Sequence, residues 1–189
     1  MKFLVVIALL IAGFWLWKRA GSGMGNQKRP SEKSGSSPAL KTKGSASAGE
    51  KYVMRQGKME KADEAFEAWT SGNMEQMTNA LQKKTNPIDR HFLLMIIVDE
   101  AYKNRADCDM AKLCEEIAEK HLDEFKKIAP ALKEEMDGIL PRVTTFQKYA
   151  TLLTEKGDYE RAIEVCEEAM SYGLHDGTKT GFEGAIYNL

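Results

Sequence analysis

The side chains with the most reactive chemistry in this sequence are its three cysteines and three histidines. Cys108, Cys114 and His121 follow one another with the spacing C-x5-C-x6-H, and Cys166 could supply a fourth ligand. Such a set could bind zinc, but zinc sites in short segments use cysteines about two to four residues apart. Cys114 and His121 share one helix face, whereas Cys108 lies near or before the start of that helix. We therefore expect no metal site, and we expect the thiols to act as small buried hydrophobic groups.

Carboxylates offer the next candidate chemistry. His91 and Asp89 could form an acid–base pair, although polar residues at the start of a helix are the commoner explanation. Adjacent carboxylates occur at 99–100 and 134–135, where their side chains should diverge on a helix rather than converge on a substrate. The sequence contains no phosphate-binding glycine loop, nucleophile elbow or H-E-x-x-H motif. We predict no catalytic residue, no cofactor and no small-molecule substrate, and so no enzyme.

The elements that must position these residues are helices, according to the spacing of apolar residues after residue 50. Met59, Ala62, Phe66 and Trp69 recur at three- and four-residue steps and predict a first helix that ends near Gly72. The run FLLMIIV at 92–98 indicates a central buried helix, with a strand as the alternative because it is rich in β-branched residues. It is too short to cross a membrane. The predicted helices, in order, are 59–71, 74–84, 88–105, 109–129 (capped by Asp109), a short one between Pro130 and Pro141, 142–156 and 158–172.

The last pair of helices carries a recognisable pattern. The stretch from 146 to 174, FQKYATLLTEKGDYERAIEVCEEAMSYGL, resembles a tetratricopeptide repeat. In that family two antiparallel helices meet at a tight turn, and small residues allow close packing. The residues that carry the resemblance are Phe146, Ala150, Gly157, Tyr159, Ala162 and Ala169. Cys166 stands where a bulky apolar residue is usual, and Leu174 stands where a proline is usual.

Weaker internal periodicity supports this resemblance. Met77 and Ala111 are 34 residues apart, which is the period of the family, and an insertion between Pro130 and Pro141 would explain the longer interval that follows. The resemblance implies an array in which the first helices of successive pairs line a groove for a peptide or a partner helix. Arg142 and Lys148 are our candidates for groove contacts. The alternative is a generic helical bundle.

Residues 3–17, FLVVIALLIAGFWLW, contain no charge and predict a membrane-spanning helix. The run is short, because a span needs roughly 20 residues. Trp15 and Trp17 favour the interface, and Lys18 and Arg19 can extend their charges to the headgroups. A cleaved signal peptide is the alternative, but small residues should then precede the cleavage point, where this sequence has bulky and basic ones.

Residues 20–50 predict a disordered linker, because they are rich in Gly, Ser and Lys and have almost no large apolar residue. From 18 to 50 there are seven basic residues against two acidic ones, whereas 51–189 carries 19 basic and 26 acidic residues. The basic linker could lie along anionic headgroups or act as a solvated spacer. The absence of aromatic residues in it argues against nucleic-acid binding. The basic residues place the C-terminal bulk in the cytoplasm by the positive-inside rule, with an extracytoplasmic domain as the alternative.

The sequence thus predicts an all-α chain of antiparallel helix pairs that resembles tetratricopeptide repeats, preceded by one transmembrane helix and a disordered linker. Its parts are an anchor (1–19), a linker (20–50) and a helical domain (51–189), with the best repeat at 142–174 and a closing segment at 175–189. That segment should form a short helix or a frayed tail. We expect a membrane-attached interaction or scaffold module with a protein partner. The alternatives are a self-associating structural protein and, less favoured, a metal-binding or enzymatic domain.

Overall fold

The computed structural model describes residues 50–188, and within them the chain is mostly helical, as predicted. A two-stranded hairpin precedes seven helices in this part of the chain. The elements are β1 (Tyr52–Arg55), β2 (Lys58–Lys61), α1 (Glu64–Ser71), α2 (Met74–Ala80), α3 (Pro87–Lys103), α4 (Cys108–Glu135), α5 (Thr144–Lys156), α6 (Tyr159–Ser171) and α7 (Gly181–Tyr187). The predicted anchor and almost all of the predicted linker lie outside the described residues.

Helix α3 forms the centre of the core. Leu93, Leu94, Ile97 and Val98 have no exposed surface, and burying each of these side chains stabilises the fold by about 1.5–3 kcal/mol. Asn86 caps the helix by accepting a hydrogen bond from the Asp89 amide, and proline occupies the first helical position. The helix at 92–98 is therefore confirmed and the strand alternative is excluded. Among the helices of residues 50–188, none combines the length and the apolar character needed to cross a bilayer.

Four of the remaining helices pack on α3, and the last two follow through contacts with α5. Helix α1 packs on α2 and α3, and α3 in turn contacts α2, α4 and α5. Helix α5 contacts α4 and α6, and α7 packs on α6. The closing segment therefore contains a short helix, which was one of the two alternatives for it.

Two of the helix connections use the same local turn. Helices α1 and α5 both end at a glycine in the left-handed conformation, Gly72 with φ 68° and Gly157 with φ 82°. The next residue caps the following helix, since Asn73 accepts from the Gln76 amide and Asp158 from the Arg161 amide. Glycine adopts this φ without steric cost, and a short polar side chain satisfies a free amide of the next helix. The predicted turn at 157–158 is thus present, and the same turn joins α1 to α2.

Helix α4 is longer than predicted and continues through Pro130 to Glu135. The expected break at Ala129, with a separate short helix after it, is therefore wrong. Proline removes one hydrogen bond from a helix, the one to the Lys126 carbonyl. Both Pro130 and Lys126 are exposed, so water can satisfy that carbonyl. The cap is also different, because Asp107 rather than Asp109 accepts the first helical amides.

The predicted start of the first helix at Met59 is wrong, because residues 52–61 form a β-hairpin. Its strands pair antiparallel, with Met54 opposite Met59 and Tyr52 opposite Lys61. Gln56 and Gly57 connect them with φ values of 48° and 73°, both left-handed, as in the two-residue turns that suit hairpins. Met59 therefore lies on a strand and is 62% exposed, instead of lying on the apolar face of a helix.

Asp89 attaches this hairpin to the helices. Arg55 of β1 donates from Nη2 to Asp89 Oδ1 at 2.6 Å and from Nε to Oδ2 at 3.2 Å. Trp69 Nε1 and Asn86 Nδ2 donate to the same carboxylate, at 3.1 and 2.6 Å. Burial by itself would raise the pKa of Asp89, but these donors outweigh it and leave the pKa below its ordinary value. The ionised carboxylate is therefore a shared acceptor for the hairpin, α1 and the start of α3.

We predict that Asp89→Ala destabilises the folded protein by about 3 kcal/mol, because it leaves the largely buried Arg55 guanidinium unpaired. Asp89→Asn keeps the shape and should have a smaller effect. Urea denaturation followed by circular dichroism measures both. Asp123→Ala, at an exposed position of α4, is the matched control with an expected change within about 0.5 kcal/mol. A loss for Asp89→Ala no larger than the control's would contradict the role assigned to Asp89.

Candidate functional site

A cleft of about 350 Å³ lies between α5, α6 and the segment that follows α6. Helix α5 supplies one wall, the segment 176–188 supplies the other, and buried Cys166 and Phe182 lie among the lining residues. This volume is within the range of sites that hold a small ligand or a few residues of a peptide. We therefore take the cleft as the candidate functional site.

The α5 wall consists of small and uncharged side chains. Gln147, Ala150, Thr151 and Thr154 are spaced so that they share one face of the helix. Thr151 and Thr154 donate their hydroxyls to carbonyls of α5 itself, those of Gln147 and Ala150, each at 2.8 Å. The wall therefore offers methyl groups and hydroxyl oxygens with free acceptor capacity, and its small side chains leave the space open.

The opposite wall is ordered by Asp176, which is 5% exposed. Its Oδ1 accepts from the Thr178 amide and the Thr178 hydroxyl, both at 2.8 Å. Thr178 Oγ1 in turn accepts from the Gly181 amide at 3.0 Å, at the first residue of α7. The carboxylate thus holds the turn that leads into α7. This wall therefore contains one carboxylate, whose two oxygens accept from Thr178.

The two residues predicted as groove contacts lie in different surroundings. Arg142 is exposed and donates to Gln147 of the cleft wall. Its guanidinium lies so close to Gly177 that a Cβ at 177 would be 2.8 Å from Nη1, which places Arg142 at the rim of the cleft. Lys148 instead pairs with Asp99 of α3, which also accepts from Thr144 at 2.7 Å. Lys148 therefore connects α5 to α3 and does not line the cleft.

The residues that carry the repeat resemblance lie mostly inside the protein. The side chains of Phe146, Ala150, Ala162 and Ala169 are buried, whereas Tyr159 is 49% exposed and Gly157 forms the turn. Phe146 packs on Phe125 of α4, with ring centroids 5.3 Å apart. The predicted anchor flanks, Trp15, Trp17, Lys18 and Arg19, lie outside the described residues.

The cysteines occupy unconnected positions. Cys108 is exposed at the start of α4, while Cys114 and Cys166 are buried in the core. Burial raises the pKa of both buried thiols to about 11, so they are protonated at neutral pH. Within residues 50–188 no three His, Cys, Asp or Glu side chains come together in a way that could hold a metal ion.

The acidic pairs behave differently from each other. At 99–100 the side chains diverge as predicted, since Asp99 faces Lys148 and Glu100 pairs with Lys103. At 134–135 both side chains contact one residue of the hairpin turn. Glu134 accepts from the Gln56 side-chain amide at 2.8 Å, and Glu135 accepts from the Gln56 backbone amide. Both carboxylates therefore hold the turn of the hairpin against the end of α4.

A buried chain of polar side chains crosses the core and was not predicted from the sequence. His91 Nδ1 lies 3.0 Å from His121 Nε2, and His121 Nδ1 lies 2.8 Å from Thr145 Oγ1. These residues belong to α3, α4 and α5, and all three are at most 1% exposed. His91 Nε2 has no hydrogen-bond partner. His91 thus faces His121 rather than Asp89, so the two residues do not form an acid–base pair. The sequence signal for this buried polar chain is that both histidines fall among apolar residues on buried helix faces.

Burial lowers the pKa of His91 to about 4 and also lowers that of His121. Below pH 6.5 the unfolded chain takes up protons on these imidazoles while the folded chain resists them. The contribution of these histidines to the free energy of unfolding is therefore fully present above pH 6.5 and is lost as the pH falls toward 4.

We predict that the free energy of unfolding falls between pH 6.5 and 5.5, with a limiting slope of about 1.4 kcal/mol per pH unit for each histidine. Few carboxylates titrate in this window, so the slope reports the histidines. Urea denaturation at several pH values measures it. NMR of the imidazole protons provides a second readout in the unmodified protein. Titration of His91 and His121 near pH 6.5 would contradict the prediction.

Comparisons with known proteins add no assignment to this geometry. The chain matches no protein-family model, no curated protein and no solved structure. Its function is therefore argued from its residues and their arrangement.

Proposed function

We propose that this chain is a membrane-attached interaction module that binds another protein through its helical domain and carries out no catalysis. The observation that carries the proposal is the cleft beside α5, an open space whose α5 wall has uncharged and mostly small side chains. Side chains of this kind suit a peptide backbone or a helix surface, because they allow close approach and still provide hydrogen-bond acceptors.

The order of helix neighbours supports a repeat-like arrangement within this proposal. Helices α1, α3 and α5 are the first members of successive hairpins, and each packs on the next. The shared glycine turns at 72–73 and 157–158 support the same arrangement, and α7 would act as the closing helix. The 28 residues of α4 depart from the regular pattern and take up part of the insertion that the sequence suggests. In such an array α5 would contribute its exposed face to the partner-binding groove.

The net charge of the helical domain indicates the kind of partner surface that it attracts. Residues 62–189 contain 25 acidic and 15 basic residues, so this part of the domain has a net charge of −10. A partner with a basic surface would be attracted to it and would associate faster at low ionic strength. The membrane part of the proposal rests on residues 3–17 and the basic residues behind them, with the helical domain on the cytoplasmic side.

We predict that Thr151→Arg abolishes partner binding, because the long side chain fills the cleft from the exposed face of α5. The substitution leaves the core intact, so the midpoint of thermal unfolding should change little. The measurement is chemical cross-linking of the full chain in its native membranes, followed by mass spectrometry of the cross-linked proteins.

Thr70→Arg provides the matched control, since Thr70 is also exposed on a helix and also donates to a carbonyl four residues earlier. It does not line the cleft. The proposal requires the control to retain every partner that Thr151→Arg loses. Equal recovery of partners by the two variants would place the binding surface elsewhere.

A further inference from the structure

The outer face of the hairpin exposes large apolar side chains. Tyr52, Met54 and Met59 are 54%, 53% and 62% exposed, and strand pairing brings the two methionines opposite each other on one face. The other face points toward the helices, where Arg55 binds Asp89 and Val53 is half-buried. The exposure is therefore a property of one whole face, which the hairpin's own packing leaves uncovered.

Further exposed apolar residues follow the point where the hairpin turn meets α4. Gln56 binds Glu134 and Glu135, and the next residues of the chain include Met136 and Ile139, which are 38% and 74% exposed. Five of the seven large hydrophobic side chains exposed within residues 50–188 thus lie on the hairpin or just beyond its contact with α4. The grouping of Tyr52, Met54 and Met59 on one face indicates an interaction surface, whereas scattered exposed apolar residues would not.

The charge of the chain changes sign at the end of this hairpin. Residues 18–61 contain eleven basic and three acidic residues, a net charge of +8, whereas residues 62–189 have a net charge of −10. Lys51, Lys58 and Lys61 continue the basic run of the preceding sequence into the folded domain and are exposed. The strand register places Lys61 on the apolar face, opposite Tyr52, where it pairs with Glu50. An anionic bilayer attracts the first region and repels the second, so it would orient the domain with the hairpin toward the lipid.

We propose that the outer face of the hairpin docks on the surface of an anionic bilayer. The inference rests on the membrane attachment proposed above, and it adds which surface of the domain faces the lipid. Tyrosine is favoured at the depth of the headgroups, methionine enters the boundary of the acyl chains, and lysine reaches phosphates with its long side chain. A second copy of the chain carries the same net positive charge over residues 18–61, which disfavours pairing of two such regions.

The test uses the full chain reconstituted in phosphatidylcholine vesicles with and without phosphatidylglycerol. An environment-sensitive fluorophore is attached through Met54→Cys in a Cys108→Ser background, and through native Cys108 in a separate sample as the positional control. Quenching by brominated lipid reports contact of each label with the bilayer, and flotation of the vesicles reports attachment of the chain.

We expect the label at 54 to be quenched in vesicles that contain phosphatidylglycerol and the label at 108 to remain unquenched. Lys61→Glu, on the docking face, should lower the ratio of docked to undocked domain by at least about fivefold. Lys127→Glu makes the same charge change at an exposed α4 position and should leave the ratio unchanged.

Chains that float with the vesicles while the label at 54 stays unquenched would overturn this inference and leave the proposed anchor intact. Equal quenching at 54 and 108 would also overturn it, because the domain would then have no preferred orientation. Chains that do not float would contradict both proposals. Self-quenching of the label at 54 that rises with protein concentration in neutral detergent would assign the face to a second copy of the chain instead.

Discussion

The fold depends on the need to cover helix α3 on nearly every side. Eight of its seventeen residues are buried, and two of these, Asp89 and His91, are polar. The apolar residues require a shell of neighbours, which α1, α2, α4 and α5 provide. The two polar residues require partners inside that shell, because an unpaired buried polar group costs about 1–3 kcal/mol. Both requirements arise in one helix, and the elements that contact it meet them.

The two polar residues connect different parts of the molecule. Asp89 binds Arg55 of the hairpin, so the strand that carries Met54 is held against the helices. His91 reaches His121 and, through it, Thr145 at the start of α5, the helix that forms one wall of the cleft. The proposed lipid-facing surface and the proposed partner-binding surface are therefore both linked to α3, although they share no residue.

Much of the helical fold could be predicted from the sequence because long helices repeat apolar residues at three- and four-residue steps. The hairpin was missed because Met59 continues, by chance, the helical spacing of Ala62, Phe66 and Trp69. The contrary signal was the pair Gln56–Gly57, a less common form of a two-residue turn. The helix end predicted before Pro130 was also wrong, because a proline on the exposed side of a helix disturbs the helix less than its residue type suggests.

The cleft and the buried polar chain could not be predicted, because both arise from contacts between residues far apart in sequence. Position 176 lies in the predicted closing segment, and its role in shaping the cleft depends on how the chain turns back on α5. Arg142 and Lys148 had similar prospects in the sequence. Only the structure separates a residue at the cleft rim from one that pairs with Asp99.

The central claim is that the face of α5 at the cleft contacts another protein while the chain is attached to a membrane. The most direct measurement places a photo-cross-linking amino acid at position 151 of the full chain and irradiates intact cells. The account predicts an adduct with a second protein in the membrane fraction, absent when the same group is placed at exposed position 70. Absence of any adduct from position 151, or the same adducts from both positions, would contradict it.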